Sequence, residues 1–235
     1  MKTRLQNSIG KFRAPSKSVA ICAAIASTLA LLAIPAQAQK ITYTVENHSF
    51  EDPVLPEPGY RNSPGYAFTI ASWTRGDYRR GTAVAYFPNQ SNFKAPPNGI
   101  DWNNVFSTSG AAVGVQAWVT QDVSGATLLA EAGRKYTLTV AAGKYLDIGP
   151  GGLSVRLAIG TTSMSFGKSL AIATYTPDLL PSGSLSDFSV TYTSTGSEAQ
   201  IGETLKVWVL AEQQVSPADV SRNTAFDNVR FSSQK

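Results

Sequence analysis

The chain has 235 residues, of which 43% are hydrophobic and 15% are charged, and its formal net charge is +4. Five of the 20 basic residues and none of the 16 acidic residues lie in residues 1–38, so the remaining 197 residues carry 15 basic and 16 acidic side chains. A near-neutral domain lacks the excess positive charge that releases counterions from phosphates. The composition therefore excludes a nucleic-acid-binding protein.

Residues 1–38 have the three parts of a secretory signal peptide. Basic residues up to Lys17 precede the apolar run 19–34, and Ala36 and Ala38 supply the small residues that a signal peptidase needs. The apolar run is short for a membrane span, so a single membrane anchor is the less favoured alternative. We expect cleavage near Ala38, secretion to the periplasm or medium, and no membrane insertion. Cleavage removes Cys22, the only cysteine, which excludes thiol catalysis and disulfides in the mature domain.

After residue 39, short segments of alternating apolar and polar residues are separated by Gly, Pro, Ser, Thr and Asn, a pattern typical of β-strands. The predicted strands, in chain order, are Ile41–Val45, Tyr66–Trp73, Thr82–Phe87, Val113–Gln121, Tyr136–Ala142, Leu153–Ile159, Phe188–Thr193, Leu205–Leu210 and Phe226–Phe231. Weaker candidates lie around Ala126–Ala130, Met164–Phe166 and Ala171–Tyr175. With no helical pattern and no linker between them, these segments predict one all-β domain over residues 39–235, an antiparallel two-sheet β-sandwich.

Alternation also assigns each strand residue to a face. The side chains predicted opposite the apolar face are Gln116, Trp118, Thr137, Thr139, Ser154, Arg156, Lys206 and Trp208. If their strands belong to one sheet, its outer face carries two indoles among hydrogen-bonding groups, which suits the apolar face and hydroxyls of a sugar ring. The alternative is that a long loop such as Pro88–Asn104 covers the indoles as a second core.

Motifs for catalysis are sparse. His48 is the only histidine and no nucleophile elbow surrounds it, so neither a Ser-His-Asp triad nor a zinc site of several histidines is supported. A glycosidase needs only two carboxylates at a suitable separation. However, Asp147, Asp187, Glu203 and Glu212 lie in turn-like or strand-end contexts, where we expect solvated surface acids.

The two ends of the domain carry the sharper motifs, Val45-Glu-Asn-His-Ser-Phe-Glu-Asp-Pro53 and Ala225-Phe-Asp-Asn-Val-Arg-Phe231. Together with Trp73, they resemble the galactose-binding-like jelly roll of bacterial carbohydrate-binding modules over residues 41–231. They are especially similar to exported bacterial domains, many with a PEP-CTERM sorting tail, that open with Asn-Gly-Ser-Phe-Glu and close with Phe-Asp-Asn-Val. Here His48 stands in place of that Gly, and no such tail follows the closing motif. The resemblance implies a jelly-roll fold in which Trp73 packs against the core.

The same resemblance implies a structural calcium ion. By position, Glu51 and Asp227 would bind it together with backbone carbonyls, and Asn47 would be a neighbour. Calcium takes about six to eight oxygen ligands, so two carboxylates from the first and last strands would join the chain ends. The alternative is that both carboxylates cap loops without a metal.

These observations predict a secreted, non-catalytic module that binds a glycan or a cell-surface polysaccharide. The ligand-binding candidates are Trp118, Trp208, Gln116, Arg156, Lys206, Trp102 and Tyr78. The alternatives are a structural or matrix protein that uses the same aromatic patch for protein contacts, and a small glycan-active hydrolase.

Overall fold

The structure of the protein is a computed structural model, which describes residues 39–52, 66–67, 69–78, 82–86, 105–110, 116–146, 153–212 and 222–235. Residues 39–235 form one compact unit. The predicted signal peptide and Trp102 lie outside the described residues, so signal cleavage and secretion stay predictions. Among the residues described, no helix is long and apolar enough to cross a membrane.

Strands dominate the regular structure. In chain order they are β1 (Lys40–Tyr43), β2 (Tyr66–Ala67), β3 (Thr74–Tyr78), β4 (Thr82–Tyr86), β5 (Val105–Gly110), β6 (Gln116–Thr127), β7 (Lys135–Lys144), β8 (Ser154–Thr161), β9 (Ala171–Tyr175), β10 (Ser186–Thr193), β11 (Thr204–Glu212) and β12 (Arg222–Gln234). In the part of the chain that the structure describes, a 3₁₀ turn lies at Phe166–Lys168. The strands pair antiparallel in two sheets, so the prediction of an antiparallel two-sheet β-sandwich is confirmed.

Among the described residues, the first sheet has seven strands in the order β10-β7-β12-β5-β4-β2, with β1 paired to β12. The long strand β12 lies against β7 along one edge. Along its other edge, residues 222–226 pair with β5 and residues 231–234 pair with β1. Residues 227–230 are left between these two neighbours, and the register of β12 against β7 shifts there. The first strand therefore pairs with the end of the last strand. This edge of β12 has a gap between β5 and β1, beside the bulge at residues 227–230.

The second sheet has five described strands in the order β3-β6-β11-β8-β9, and the core lies between the two sheets. The inward residues of β8 and β11 are apolar and at most 1% exposed: Val155, Leu157, Ile159, Leu205, Val207, Val209 and Ala211. The same core contains Tyr136, Leu138, Val140 and Phe231 from the first sheet, which are equally buried. Apolar burial contributes about 25 cal/mol per Å² removed from water, so this contiguous core stabilises the domain without disulfides.

The structure differs from the predicted strands in three places, each for a local reason. The predicted strand Tyr66–Trp73 is interrupted by a turn in which Trp73 N–H donates to the Ile70 carbonyl at 3.2 Å. Ser72 in that turn has φ of 65°, which a strand residue does not adopt. Met164–Phe166 leads into the 3₁₀ turn instead of forming a strand. The strand β5 was not predicted, because after Phe106 its Ser, Thr and Gly residues resemble a loop.

The turn between β10 and β11 is organised by Glu198. Its carboxylate accepts hydrogen bonds from the Tyr192 hydroxyl, from the N–H and hydroxyl of Thr195, and from the N–H of Gly196. The hydrogen bond from Tyr192, followed by that from the Thr195 N–H, lowers the pKa of Glu198 to about 2. Burial, followed by the hydrogen bond to Glu198, raises the pKa of Tyr192.

A titration tests this turn directly. By NMR, the Glu198 carboxylate of the folded protein should titrate with a pKa of about 2, below the ordinary value of 4.5. Because the folded-state pKa lies below that of the unfolded chain, the contribution of Glu198 to stability is fully present above about pH 4.5 and is lost as the pH falls toward 2. Glu198→Gln should abolish this part of the acid dependence, and Tyr192→Phe should raise the pKa of Glu198. An ordinary Glu198 pKa in the folded wild type would contradict the assignment.

Candidate functional site

The side chains that alternate with the core residues of β6, β8 and β11 form the outer face of the five-stranded sheet, called the outer face below. Strand register arranges them in rows across β6, β11 and β8. Three adjacent rows are Gln116–Glu212–Ser154, Trp118–Leu210–Arg156 and Thr120–Trp208–Ala158. Polar and aromatic side chains therefore meet on one face, as the alternation of these strands predicted.

The Glu212 carboxylate on the outer face is held by side chains from both neighbouring strands. Its Oε2 atom lies 3.1 Å from Nη1 of Arg156, and its Oε1 atom accepts a hydrogen bond from Nε2 of Gln116 at 2.8 Å. The Glu212 side chain is 17% exposed. An ionised carboxylate has about four lone-pair positions, and these contacts occupy two of them. Glu212 can therefore accept a further hydrogen bond from a ligand while its orientation stays fixed.

Arg156 is itself held from two sides. Its guanidinium carbon lies 4.8 Å from the ring centroid of Phe166, which belongs to the 3₁₀ turn after β8. A planar guanidinium suits both an aromatic face and a carboxylate. The turn that follows β8 thus positions Arg156, and Arg156 positions the carboxylate of Glu212.

The ring of each tryptophan on the outer face packs over a glycine of a neighbouring strand. A Cβ atom at Gly76 of β3 would lie 2.3 Å from ring atoms of Trp118, and a Cβ atom at Gly160 of β8 would lie 2.9 Å from Cζ3 of Trp208. Trp118 is half-buried, whereas Trp208 is only 5% exposed. The Trp208 side chain is therefore packed against its sheet and covered, and Trp118 is the more accessible aromatic side chain of the two.

The outer face brings together five of the predicted ligand-binding residues: Gln116, Trp118, Arg156, Lys206 and Trp208. Lys206 pairs with Asp122, with Nζ 3.3 Å from Oδ1, and its Nζ lies 5.8 Å from the Trp208 ring centroid. The backbone of Tyr78 lies opposite that of Gln116 in the adjacent strand. Thr137 and Thr139 belong to the other sheet, because β7 pairs with β10 and β12.

Sequence reasoning missed Glu212 as a site residue. The expectation of a solvated surface acid is wrong for Glu212, because Arg156 and Gln116 from the two neighbouring strands hold it. The available signal was the alternation of side chains along β11. Glu212 follows the inward residue Ala211, so its side chain lies on the same face as that of Trp208. That signal required knowing that β11 continues past Leu210.

A second structured region fills the gap beside β12. We call it the terminal corner, defined by residues 46–52, 69–73 and 227–229. The N–H of Val229 donates to the His48 carbonyl at 2.8 Å, which ties the loop after β1 to the bulge of β12. Trp73 is 7% exposed and packs in the core, as the resemblance implied, and its Nε1 donates to the Asn47 carbonyl at 3.1 Å.

Two amide side chains hold the terminal corner together. Asn47 donates from Nδ2 to the carbonyls of Asp52 at 2.9 Å and Ala71 at 3.0 Å, and its Oδ1 accepts from the Asp52 N–H at 3.0 Å. Gln121 of β6 donates from Nε2 to the carbonyls of Glu46 and Ser72, both at 2.9 Å. Its Oε1 accepts the Glu46 N–H at 3.0 Å. The corner is thus fastened to the five-stranded sheet.

Backbone strain is concentrated in the same place. Four described residues other than glycine have φ in the left-handed region, and all lie in the terminal corner: Asn47 at 46°, Phe50 at 60°, Ser72 at 65° and Asn228 at 47°. Such conformations cost about 1–3 kcal/mol each and persist where surrounding contacts over-determine them. The amide hydrogen bonds of Asn47 and Gln121 supply that constraint.

The carboxylates proposed for calcium, Glu51 and Asp227, lie in this corner. Asp227 is fully buried, and its Oδ1 accepts the N–H of Asn228 at 2.6 Å, while Glu51 lies in the loop that the His48–Val229 bond joins to the bulge. Both polar atoms of the Asn47 side chain are used to hold the loop, so Asn47 serves the fold. Within the described ranges, no three His, Cys, Asp or Glu side chains gather as a metal site. A metal here would need two carboxylates and backbone carbonyls, a donor set that fits calcium.

Comparison with known families decides what kind of protein this is. The family described as HpiC1 cyclase matches residues 41–232, nearly all of the described domain. The chain belongs to the HpiC1-like cyclase family. A search of curated proteins finds no match.

Solved structures of Fischerella cyclases share the fold of this HpiC1-like chain. A Stig cyclase from Fischerella sp. TAU, in complex with (3Z)-3-(1-methyl-2-pyrrolidinylidene)-3H-indole, is 19% identical with a TM-score of 0.63 and covers 83% of this chain and 98% of its own. A cyclase from the same organism, in complex with 4-(1H-indol-3-yl)butan-2-one, is 20% identical with a TM-score of 0.60 and covers 82% of this chain and 97% of its own. At these identities the likeness shows the fold alone.

The prediction of a non-catalytic glycan-binding module is wrong, because the matching family is one of cyclases. A carbohydrate-binding module from Clostridium thermocellum is also among the matched structures, at 10% identity and a TM-score of 0.37, and covers 69% of this chain and 89% of its own. The β-sandwich that the predicted kinship with such modules implied is confirmed by the two antiparallel sheets of this chain, and the finer likeness to PEP-CTERM proteins stays a prediction. The aromatic face did not distinguish a sugar from other ligands, because indole side chains pack against many planar or apolar molecules.

Asn47 is expected to be critical for stability. Asn47→Ala removes three hydrogen bonds and places a less tolerant residue at a left-handed φ, so the free energy of unfolding should fall by about 2–4 kcal/mol. Asn47→Gly keeps the backbone conformation accessible and should lose less. Chemical denaturation of both variants measures the difference. If Asn47→Ala and the wild type unfolded at the same denaturant concentration, the side-chain contacts of Asn47 would not hold the corner.

Proposed function

We propose that this HpiC1-like protein is a cyclase that acts on a small aromatic substrate carrying an N–H group, at the outer face beside Glu212. Membership of a cyclase family supports the reaction class. The observation that carries the location is the fixed carboxylate: Glu212, oriented by Arg156 and Gln116, lies one row from the half-buried indole of Trp118. The indole compounds named with the Fischerella cyclases suggest an indole-type substrate.

The chemistry of ring closure suits this arrangement. An isomerising cyclisation forms one carbon–carbon σ bond at the expense of one π bond and leaves the atomic composition unchanged. When an indole supplies the electron pair, positive charge develops on the ring nitrogen. A carboxylate that accepts the N–H hydrogen bond stabilises that charge, because preorganised groups aimed at developing charge lower the barrier. An aromatic face such as that of Trp118 also stabilises a cation and excludes water.

The positions of Arg156 and Gln116 define their roles in this proposal. Each donates to a different oxygen of Glu212, so the carboxylate cannot rotate without breaking one contact. Arg156 also supplies the positive charge that pairs with the carboxylate of Glu212. Both are positioning residues, and Glu212 is the group proposed to touch the substrate.

A turnover assay tests the role of Glu212. Purified protein is incubated with indoles that carry an unsaturated side chain, and products of unchanged mass are separated by chromatography and detected by mass spectrometry. Glu212→Gln keeps the shape but removes the charge, so kcat/KM should fall about 100-fold. Asp187→Asn is the matched control, because it breaks an arginine pair with Arg230 in the first sheet. Unchanged turnover in Glu212→Gln would place the reaction elsewhere.

The proposal includes a structural calcium ion at the terminal corner, bound by Glu51 and Asp227 with backbone carbonyls. The fully buried carboxylate of Asp227, on a bulge joined to the loop that contains Glu51, supports it. Bound calcium would supply positive charge to two carboxylates and join the first and last strands. Its proposed role is to stabilise the fold, separately from the chemistry at Glu212.

Thermal melting with and without a chelator tests the calcium proposal. The midpoint should fall when the protein is stripped with EDTA and should recover when calcium is returned, since a ligand that binds only the folded state stabilises it. Asp227→Asn should melt lower and no longer respond to calcium. A midpoint that is the same with EDTA and with excess calcium would remove the metal from the proposal.

A further inference from the structure

Strand β10 is an edge strand of the first sheet in the part of the chain that the structure describes. It pairs with β7 on one side, and no described strand pairs with its other side. In an antiparallel pair, residues alternate between those bonded to the partner strand and those whose backbone groups point away from it. Just after β10, the Ser194 N–H donates to the Arg134 carbonyl at 2.9 Å. Alternation therefore turns the backbone groups of Asp187, Ser189 and Thr191 toward the open edge.

Strand β10 lacks the features that usually protect such an edge. An open strand edge is a template for pairing with another chain, and proteins protect it with short strands, prolines, lysines or β-bulges. The eight residues of β10, Ser-Asp-Phe-Ser-Val-Thr-Tyr-Thr, include neither proline nor lysine, and their register against β7 is continuous. Their one charged side chain, Asp187, is paired with Arg230. Protection of this edge therefore has to come from another element.

The hydroxyl of Tyr175 lies at the middle of the open edge. Tyr175 ends β9, an edge strand of the second sheet, and its ring centroid lies 4.7 Å from that of Phe188. The hydroxyl accepts the Ser189 N–H at 3.2 Å and donates to the Ser189 carbonyl. A hydroxyl both donates and accepts, so this one side chain satisfies both backbone groups of an edge residue. Neighbouring strands lie about 4.8 Å apart, so Tyr175 also fills the space that an incoming strand would need.

We propose that Tyr175 is an edge guard, a side chain that prevents a second copy of this chain from pairing with β10. The two backbone groups of Ser189 that an incoming strand would bind are already bonded to Tyr175. Because the guard comes from the second sheet, it also joins the two sheets at their open edges. This inference is independent of the proposed function, since it concerns the edge of the first sheet.

The sequence of β10 suits antiparallel pairing with a second copy of itself. Two β10 strands related by a two-fold axis at Ser189 would place Asp187 opposite Thr191, so like charges would not face each other. On the core side, Phe188 would face Val190, and aromatic and β-branched residues form favourable cross-strand pairs. A second copy is therefore the partner that this edge fits when the guard is removed.

Amide hydrogen exchange followed by NMR tests whether the Tyr175 hydroxyl covers the edge. Tyr175→Phe keeps the ring and removes the hydroxyl, so the Ser189 amide should exchange about three- to tenfold faster, as expected for one lost hydrogen bond. Tyr43→Phe is the matched control, because the Tyr43 hydroxyl is bonded to the Ser233 side chain. It should leave the exchange rate of Ser189 unchanged. Equal exchange of this amide in the wild type and in Tyr175→Phe would overturn the assignment.

Sedimentation of the full chain over a range of concentrations tests the partner. Tyr175→Val removes the ring and hydroxyl but keeps a residue that favours strands, so its average mass should rise with concentration to about twice the wild-type value or more. Adding Ser189→Lys should restore the wild-type mass, because the exposed Ser189 would face its symmetry mate and two lysines there would repel each other. Adding Ser189→Ala instead should leave the association intact.

Two results would contradict the proposed partner. One is a Tyr175→Val mass equal to that of the wild type at every concentration. The other is an association that persists with Ser189→Lys, which would place the contact on a different surface. If circular dichroism shows that Tyr175→Val does not fold, the exchange of the Ser189 amide in Tyr175→Phe decides the proposal alone.

Discussion

The alternation of side chains along β6, β8 and β11 is the constraint on which the candidate site depends. Once Val207, Val209 and Ala211 are committed to the core, Trp208, Leu210 and Glu212 must point the other way. Register with the neighbouring strands then places Glu212 between Gln116 and Ser154. Glycines on adjacent strands leave room for the two indoles, so the outer face carries packed aromatic side chains beside the anchored carboxylate of Glu212.

The terminal corner fulfils a different need, that of closing a domain that has no disulfide after residue 39. Strand β1 pairs with the end of β12, and the loop after β1 occupies the gap that the bulge of β12 leaves. This path forces four residues into left-handed conformations, and the amides of Asn47 and Gln121 compensate with hydrogen bonds to both turns. Strain and rigidity thus coincide at the corner, while the outer face holds the groups suited to a ligand.

Much of the fold could be predicted from the sequence, because period-two alternation is a local signal that most strands carry. The same signal placed Trp118 and Trp208 on a shared face. What it could not give was sheet membership, which depends on long-range pairing and which separates Thr139 from that face. Nor could it show that Arg156 reaches Glu212, because the two lie on different strands and 56 positions apart. The glycan hypothesis failed since an aromatic and polar face is a feature that many ligand classes share.

In the proposed site, a small N–H heteroaromatic binds on the outer face with its donor at Glu212. A crystal structure of the protein with an indole that carries an unsaturated side chain would show whether this contact forms. We expect the indole nitrogen within hydrogen-bonding distance of a Glu212 carboxylate oxygen and the ring beside Trp118. A ligand bound at the terminal corner, or elsewhere without a contact to Glu212, would contradict the proposed location.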